Sequence, residues 1–377
     1  MAYRADITII GAGIIGLAIA AQVAEDDRDI YVLEKNEIFG QETSSRHSGV
    51  IHSGIYYPEG SLKAKMCVAG NQMLYELCAK YCIGHRRIGK LIVAVCEEET
   101  DELEILLEQG QRNGAEGLKI LSRREMKELE PNVEGVAAIL SPSTGIIDSH
   151  ELMKYFIAKA EGQGVQIVYQ TRVVGIEKVS GGYKVTVRDR TGEFQFITMI
   201  LINCAGLYSD RVAELAGINI AKAAYKLHYC KGEYFSVGRG KNGLVQKLIF
   251  PLPPPGVAGL GIHVTIDLEG VMRLGPSIHY VDSIDYAIGN QHKQLFYDSV
   301  RKFLPFIQYD DLEPEMAGIR PKLQGPGEEI KDFVIRDEGD KGLPGFINLI
   351  GIESPGLTAS PAIAQFVGSL VKQLTGK

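Results

Sequence analysis

Gly11, Gly13 and Gly16 stand in the string GAGIIG, a spacing whose chemistry is the capture of a pyrophosphate. The first glycine permits a tight turn, the second lets the backbone come close to phosphate oxygens, and the third lets a helix lie tightly on a strand. A helix opened by such a turn offers unpaired N–H groups and partial positive charge to an anion. Glu34 follows at about the 20-residue distance where a carboxylate reaches ribose hydroxyls.

Those residues need elements to hold them. ADITII before the glycines reads as a strand, the run after them as a helix to about Val23, and DIYVLEK as a second strand with Glu34 near its end, together a βαβ unit. With Ala20 on the packing face of that helix, the motif is specific for a dinucleotide. NAD and FAD share it. Three features favour FAD: the motif sits close to the N-terminus, no second GxGxxG occurs, and two more small-residue segments follow. These are NCAG, with Ala205 and Gly206, and GIESPGLTAS, with Gly356, Leu357 and Thr358. A closing helix is expected from about Ser360–Pro361, its positive end turned toward the negative charge that a reduced flavin carries near N1 and O2.

Along the chain two patterns alternate. Residues 1–85, 145–220 and 325–377 mix strands with helices and are expected to form a Rossmann-like, α/β FAD-binding domain. Residues 86–144 and 221–324 hold closely spaced strands, among them YCKGEYFSV, KLIFPLP, GLGIHVTID and VMRLGP. They are expected to form an interleaved α+β substrate domain built on a mainly antiparallel β-sheet. VVGIEKVSGGYKVTVRD predicts a hairpin around Gly181 and Gly182.

Composition removes other classes. The net charge is −7 and no block of like charge occurs, which argues against nucleic acid as a partner. Six cysteines lack metal-ligand spacing, so no metal site is expected and the thiols read as reduced ones in a cytoplasmic protein. The uncharged run Ile7–Ala24 is interrupted by its glycines and reads as strand, turn and helix rather than a membrane span. Peripheral contact with the inner face of a membrane stays open.

At these residues the sequence resembles the FAD-dependent oxidoreductases of the D-amino acid oxidase (DAO) and glycerol-3-phosphate dehydrogenase class. SSRHSGVIHSGIYYPEGSLKAKMCVAG, YCKGEYF, GLGIHVT, AGIRPKL and GIESPGLTAS resemble, in that order, the L-2-hydroxyglutarate dehydrogenases and oxidases. The resemblance implies oxidation of a small 2-hydroxy acid, L-2-hydroxyglutarate to 2-oxoglutarate, with reduction of FAD. By position, Gly11, Gly13, Gly16 and Glu34 would hold the ADP moiety, and Thr43, Ser44, Ser45 and Arg46 would follow the pyrophosphate and ribityl chain. Val173 would meet the adenine, and Gly356, Leu357 and Thr358 would bracket the pyrimidine edge of the flavin. His47 and His52 fall where relatives with covalent FAD carry their attachment residue.

A 2-hydroxy acid needs a cation for its carboxylate, a base for its hydroxyl proton and a fixed orientation. Arg320 in AGIRPKL is the expected carboxylate anchor, since a guanidinium fork binds carboxylate through two bonds. His263 in GLGIHVT is the expected base, with His52 second. Tyr229 and Tyr234 are further hydrogen-bonding candidates. A second carboxylate would call on Lys63, Lys65, Arg46 or Lys231. Oxygen, a quinone and a carrier protein all remain as electron acceptors. The rivals are an amino acid or amine oxidase and a glycerol-3-phosphate dehydrogenase on the same fold, and a non-catalytic nucleotide sensor.

Overall fold

The computed structural model describes residues 3–25, 27–253 and 261–376. Gly259 and Leu260, where GLGIHVTID begins, lie outside the described residues.

Five strands run parallel in the order Leu343–Ile350, Glu193–Asn203, Arg4–Ile10, Ile30–Leu33 and Gln166–Val168. Their sequences are near-continuous apolar runs because helices or strands cover both faces. Ile14–Val23, Ser149–Glu161, Leu62–Tyr81 and Gly356–Thr375 cover one face, where Leu17, Leu74, Phe156 and Ile363 share a core. The strand Glu193–Asn203 does two jobs. Its second half is parallel to Arg4–Ile10, while its first half pairs antiparallel with Gly182–Arg188 and so attaches the hairpin to Arg172–Val179. The expected hairpin turn is present, with Gly181 at φ 80° and Gly182 at φ 144°, values that suit glycine. Val334–Glu338 adds an antiparallel edge.

A second sheet has nine strands and draws on Lys90–Ala94, Lys119–Ser122 and Ala137–Ser141 together with strands between His228 and Lys322. It is antiparallel except where Leu248–Pro251 lies parallel to Lys90–Ala94. His228–Val237 and Leu312–Lys322 form its longest pairing, which places Cys230 opposite Arg320 and Gly232 opposite Gly318. All of AGIRPKL but its last residue is therefore strand. No described helix is long and apolar enough to cross a membrane.

The closing helix corrects the expectation that it starts at Ser360–Pro361, because it runs Gly356–Thr375 with Pro361 inside. Proline marks a first turn because it lacks an N–H and needs no partner there. Here the carbonyl it would leave idle, that of Leu357, accepts from the Ser360 hydroxyl at 2.8 Å. The neighbouring serine makes an internal proline tolerable.

Candidate active site

The glycine turn is built as its spacing requires. Gly11 has φ 107°, and a Cβ there would lie 2.6 Å from the Cys204 carbonyl oxygen. Gly13 caps the helix Ile14–Val23. A Cβ on Gly16 would lie 2.0 Å from the Gly11 carbonyl oxygen, so helix and turn touch through that position. Gly16→Ala must push them apart. A loss of about 1–3 kcal/mol is expected, read as a lowered melting temperature.

Above the carboxyl ends of the parallel strands lies a cavity of about 1100 Å³, larger than the roughly 300–1000 Å³ usual for small-molecule sites. Ile10, Leu33 and Cys204 from the strand ends line it, as do Gly11, Gly13, Glu34, Thr43, Ser44, Val173, Ala205 and Gly206. Crevices outside strand carboxyl ends are where open α/β sheets bind ligands. Both oxygens of buried Glu34 are oriented by backbone, one accepting from Ala12 N–H at 2.9 Å and the other from Asn36 N–H at 2.8 Å. Each keeps a lone pair for a further donor. The Ser44 hydroxyl accepts from Ile14 N–H at 3.0 Å, and the Thr43 hydroxyl donates to the Ile319 carbonyl at 3.1 Å. Pro355, Gly356 and Leu357 bring the start of a second helix to the same cavity. Two helix N-termini, a glycine approach and a fixed carboxylate in one long cavity fit a dinucleotide carrying a ring system.

Of the sequence-predicted residues, Ser45 and Thr358 support the cavity rather than line it, while Arg46 and His47 line it. Ser45 hydrogen-bonds the Gly40 carbonyl. The Thr358 hydroxyl accepts from His52 N–H at 2.9 Å and donates to the Val50 carbonyl at 3.3 Å, fastening the closing helix to the segment that carries the histidines. His47 spends both ring nitrogens on backbone, Nε2 to the Ser44 carbonyl and Nδ1 from Gly49 N–H, each at 3.0 Å. Burial pushes its pKa down. Arg46 lines the cavity, its guanidinium carbon 4.0 Å from the Tyr286 ring centre, with its Nε buried and unpartnered among the described residues.

The three residues expected to do chemistry line that cavity together. Arg320 sends Nη2 to the Ser277 carbonyl at 2.7 Å and pairs with no carboxylate among the described residues. Gly232 makes room for it, since a Cβ there would stand 3.1 Å from Nη2. His263 is buried, stacks on Phe250 with ring centres 3.7 Å apart, and bonds the Gly261 carbonyl through Nδ1 at 2.9 Å. That bond puts the proton on Nδ1 and leaves Nε2 as the acceptor. Burial first, then the charges of Lys90 and Arg320, pull its pKa down to about 3 against the raising effect of Gly261. His52 is also held well below the usual range, by burial and by Lys90, His263 and His47. Both imidazoles are neutral at pH 7 and so are proton acceptors. Tyr234 lines the cavity as well, whereas the Tyr229 hydroxyl donates to the Leu207 carbonyl at 3.1 Å.

The cations sort clearly. Lys65 is exposed, and Lys231 is spent on the Ala287 carbonyl at 2.5 Å and Asp285 at 3.4 Å, with neither lining the cavity. This corrects their candidacy for a second carboxylate. Lys63 does line it, paired with Glu353 at 3.1 Å. Ser61 and Asp332 cap the helix start that holds Lys63. Sequence reasoning missed Lys322, which reaches the same Glu353 at 3.0 Å. The signal was available, because Arg320 and Lys322 stand two apart on a strand and so share a face. The buried trio carries a net charge of +1.

The family pattern described as "FAD dependent oxidoreductase", DAO, matches residues 6–370. The mitochondrial L-2-hydroxyglutarate dehydrogenase of Arabidopsis thaliana is 37% identical, covering 97% of this chain and 83% of that protein. The L-2-hydroxyglutarate dehydrogenase of Indibacter alkaliphilus is 31% identical over 95% and 96%. Among solved structures, dithionite-reduced L-alpha-glycerophosphate oxidase of Mycoplasma pneumoniae with FAD bound superposes with a TM-score of 0.85 at 28% identity, covering 98% and 95%.

Proposed function

This chain belongs to the DAO family of FAD-dependent oxidoreductases, and we propose that it oxidises L-2-hydroxyglutarate to 2-oxoglutarate with FAD held in the cavity above the parallel sheet. The observation that carries this reading is the Arg320 guanidinium, without a carboxylate partner among the described residues, lining the same cavity as two neutral imidazoles. L-2-hydroxyglutarate dehydrogenases that match nearly the whole chain support the choice of acid.

In this reading Gly11, Gly13, Gly16, Glu34 and Val173 hold the ADP half. Thr43, Ser44, Ser45, Arg46, Ala205 and Gly206 follow the middle of the cofactor, and Gly356, Leu357 and Thr358 meet the ring. Residues 1–85, 145–220 and 325–377 form the FAD-binding domain, and 86–144 with 221–324 form the substrate domain. When bound, the flavin accepts a hydride from the substrate Cα.

The protein's own part is positional and electrostatic. Arg320 grips the carboxylate next to the hydroxyl-bearing carbon with its planar fork. The surplus positive charge of Lys63, Glu353 and Lys322 attracts the distal carboxylate. His263 Nε2 takes the hydroxyl proton, and the charge of the bound acid offsets the two cations that depress its pKa, which raises its basicity as substrate arrives. His52 is the second acceptor.

Glycerol 3-phosphate is the other reading, supported by the oxidase structure with TM-score 0.85; the same cations suit a phosphate. The test is anaerobic mixing of the purified yellow protein with L- and D-2-hydroxyglutarate, lactate, glycerol 3-phosphate and D-amino acids. L-2-hydroxyglutarate is expected to bleach the visible flavin band fastest. Preferential bleaching by glycerol 3-phosphate or an amino acid would sink the proposal. In His263→Ala the cofactor should stay bound while bleaching slows by about 100-fold or more. An equal loss of cofactor would make His263 a packing residue.

A further inference from the structure

Three buried polar atoms without a hydrogen-bond partner among the described residues belong to one neighbourhood behind the candidate bases: Lys90 Nζ, the Tyr56 hydroxyl and His52 Nδ1. Lys90 opens the strand Lys90–Ala94 and is 0% exposed. Its ammonium stands 4.3 Å from the Tyr56 ring centre and 4.9 Å from that of Phe250, the ring on which His263 stacks. Tyr56, His52 and His263 line the cavity, and Lys90 sits one layer behind them.

A buried ammonium is costly unless a counter-ion or hydrogen bonds compensate it. Among the described residues, none of the groups acting on this one is an anion at neutral pH. Cys67 is a thiol pushed up by burial, and Tyr56 is likewise raised. His52 and His263 are neutral, His47 lies beside His52, and Arg320 is a further cation. Two aromatic faces give partial relief.

We propose that Lys90 is a positioning residue that reads the charge of the substrate: an acid anion in the cavity supplies the counter-ion that the protein withholds, and binding is accompanied by proton uptake at Lys90. The inference rests on the reading that the cavity takes an organic acid. Burial pulls the Lys90 pKa down to about 7. A bound anion raises it again. Between the two values the free protein is deprotonated and the complex protonated, so affinity is greatest at low pH and falls as pH rises through the pKa of the complex.

The experiment is calorimetric titration of the oxidised holoenzyme with 2-oxoglutarate at a pH of about 8, in two buffers of unlike ionisation enthalpy. An uptake of about 0.5–1 proton per acid bound is expected for the natural protein. Lys90→Met, apolar and of similar length, should melt no lower, bind about 3- to 30-fold more weakly, and take up no proton. Lys90→Arg, permanently charged, should bind without proton uptake and with an affinity flat in pH. Undiminished uptake in these variants, or tight binding to the natural protein with no uptake, would overturn the proposal. Should 2-oxoglutarate fail to bind while glycerol 3-phosphate binds with Lys90-dependent uptake, the substrate assignment falls and the role of Lys90 stands.

Discussion

Arg320→Lys is expected to lower kcat/KM for the hydroxy acid by about 10- to 1000-fold, roughly 1.4–4 kcal/mol of transition-state stabilisation. Charge is conserved, so the loss isolates the fork. In the present arrangement Nη2 is anchored on the Ser277 carbonyl at 2.7 Å, with Nε 3.5 Å from the Cys230 carbonyl, and the residue lines the cavity. A lysine offers one rotating ammonium, cannot keep the anchor and bind a carboxylate through two bonds at once, and leaves the acid free to swing. Single-turnover bleaching at saturating substrate separates orientation from affinity, because swinging lowers the limiting rate as well as the apparent binding. Unchanged kinetics would place Arg320 outside the site.

Glu353→Gln is expected to destabilise the fold by about 3–5 kcal/mol, the cost of leaving buried charges without their counter-ion. Lys63 and Lys322 both converge on this one carboxylate, and all three side chains are nearly inaccessible. Burial alone would raise the pKa of Glu353, but Lys63, Lys322 and Arg320 outweigh it and hold it below the ordinary value. A depressed carboxylate stabilises above its unfolded pKa, and that contribution disappears as acid protonates it through the lower, folded value. The natural protein should therefore lose stability in the acid range below its ordinary carboxylate pKa of 4.5, and the variant should lose less there. Adding Lys63→Met to Glu353→Gln removes one stranded charge and should recover part of the loss. Equal melting curves for natural and variant protein would show the trio to be energetically idle.

How much of this was legible in the residues depends on the range of the interactions involved. The turn Gly11–Gly16 was readable because each glycine answers a local steric demand. The hairpin at Gly181 and Gly182 was readable for the same reason. Arg320 and His263 were found through a resemblance spanning the chain, and the fold brings both to one cavity. The Lys63–Glu353–Lys322 trio was not readable as a unit, since its ion pairs join positions 290 and 31 apart. Lys90 sat unnoticed in the apolar run KLIVAV, where a lone lysine reads as a strand end. The start of the closing helix was misplaced because Pro361 carries a strong local signal, while the Ser360 hydroxyl that overrides it leaves no mark in the pattern.

The five parallel strands come from residues 4–10, 30–33, 166–168, 193–203 and 343–350, so the two at the heart of the glycine turn wait a long time for their partners. A ribosome has released the whole βαβ unit well before Glu193–Asn203 exists to flank it, and the wall at Gly356 arrives later still. Pairings of such sequence separation are slow to form and leave apolar edges bare meanwhile. The cavity above the sheet is thus walled on every side only after Leu343–Ile350 and the start of Gly356–Thr375 have been made.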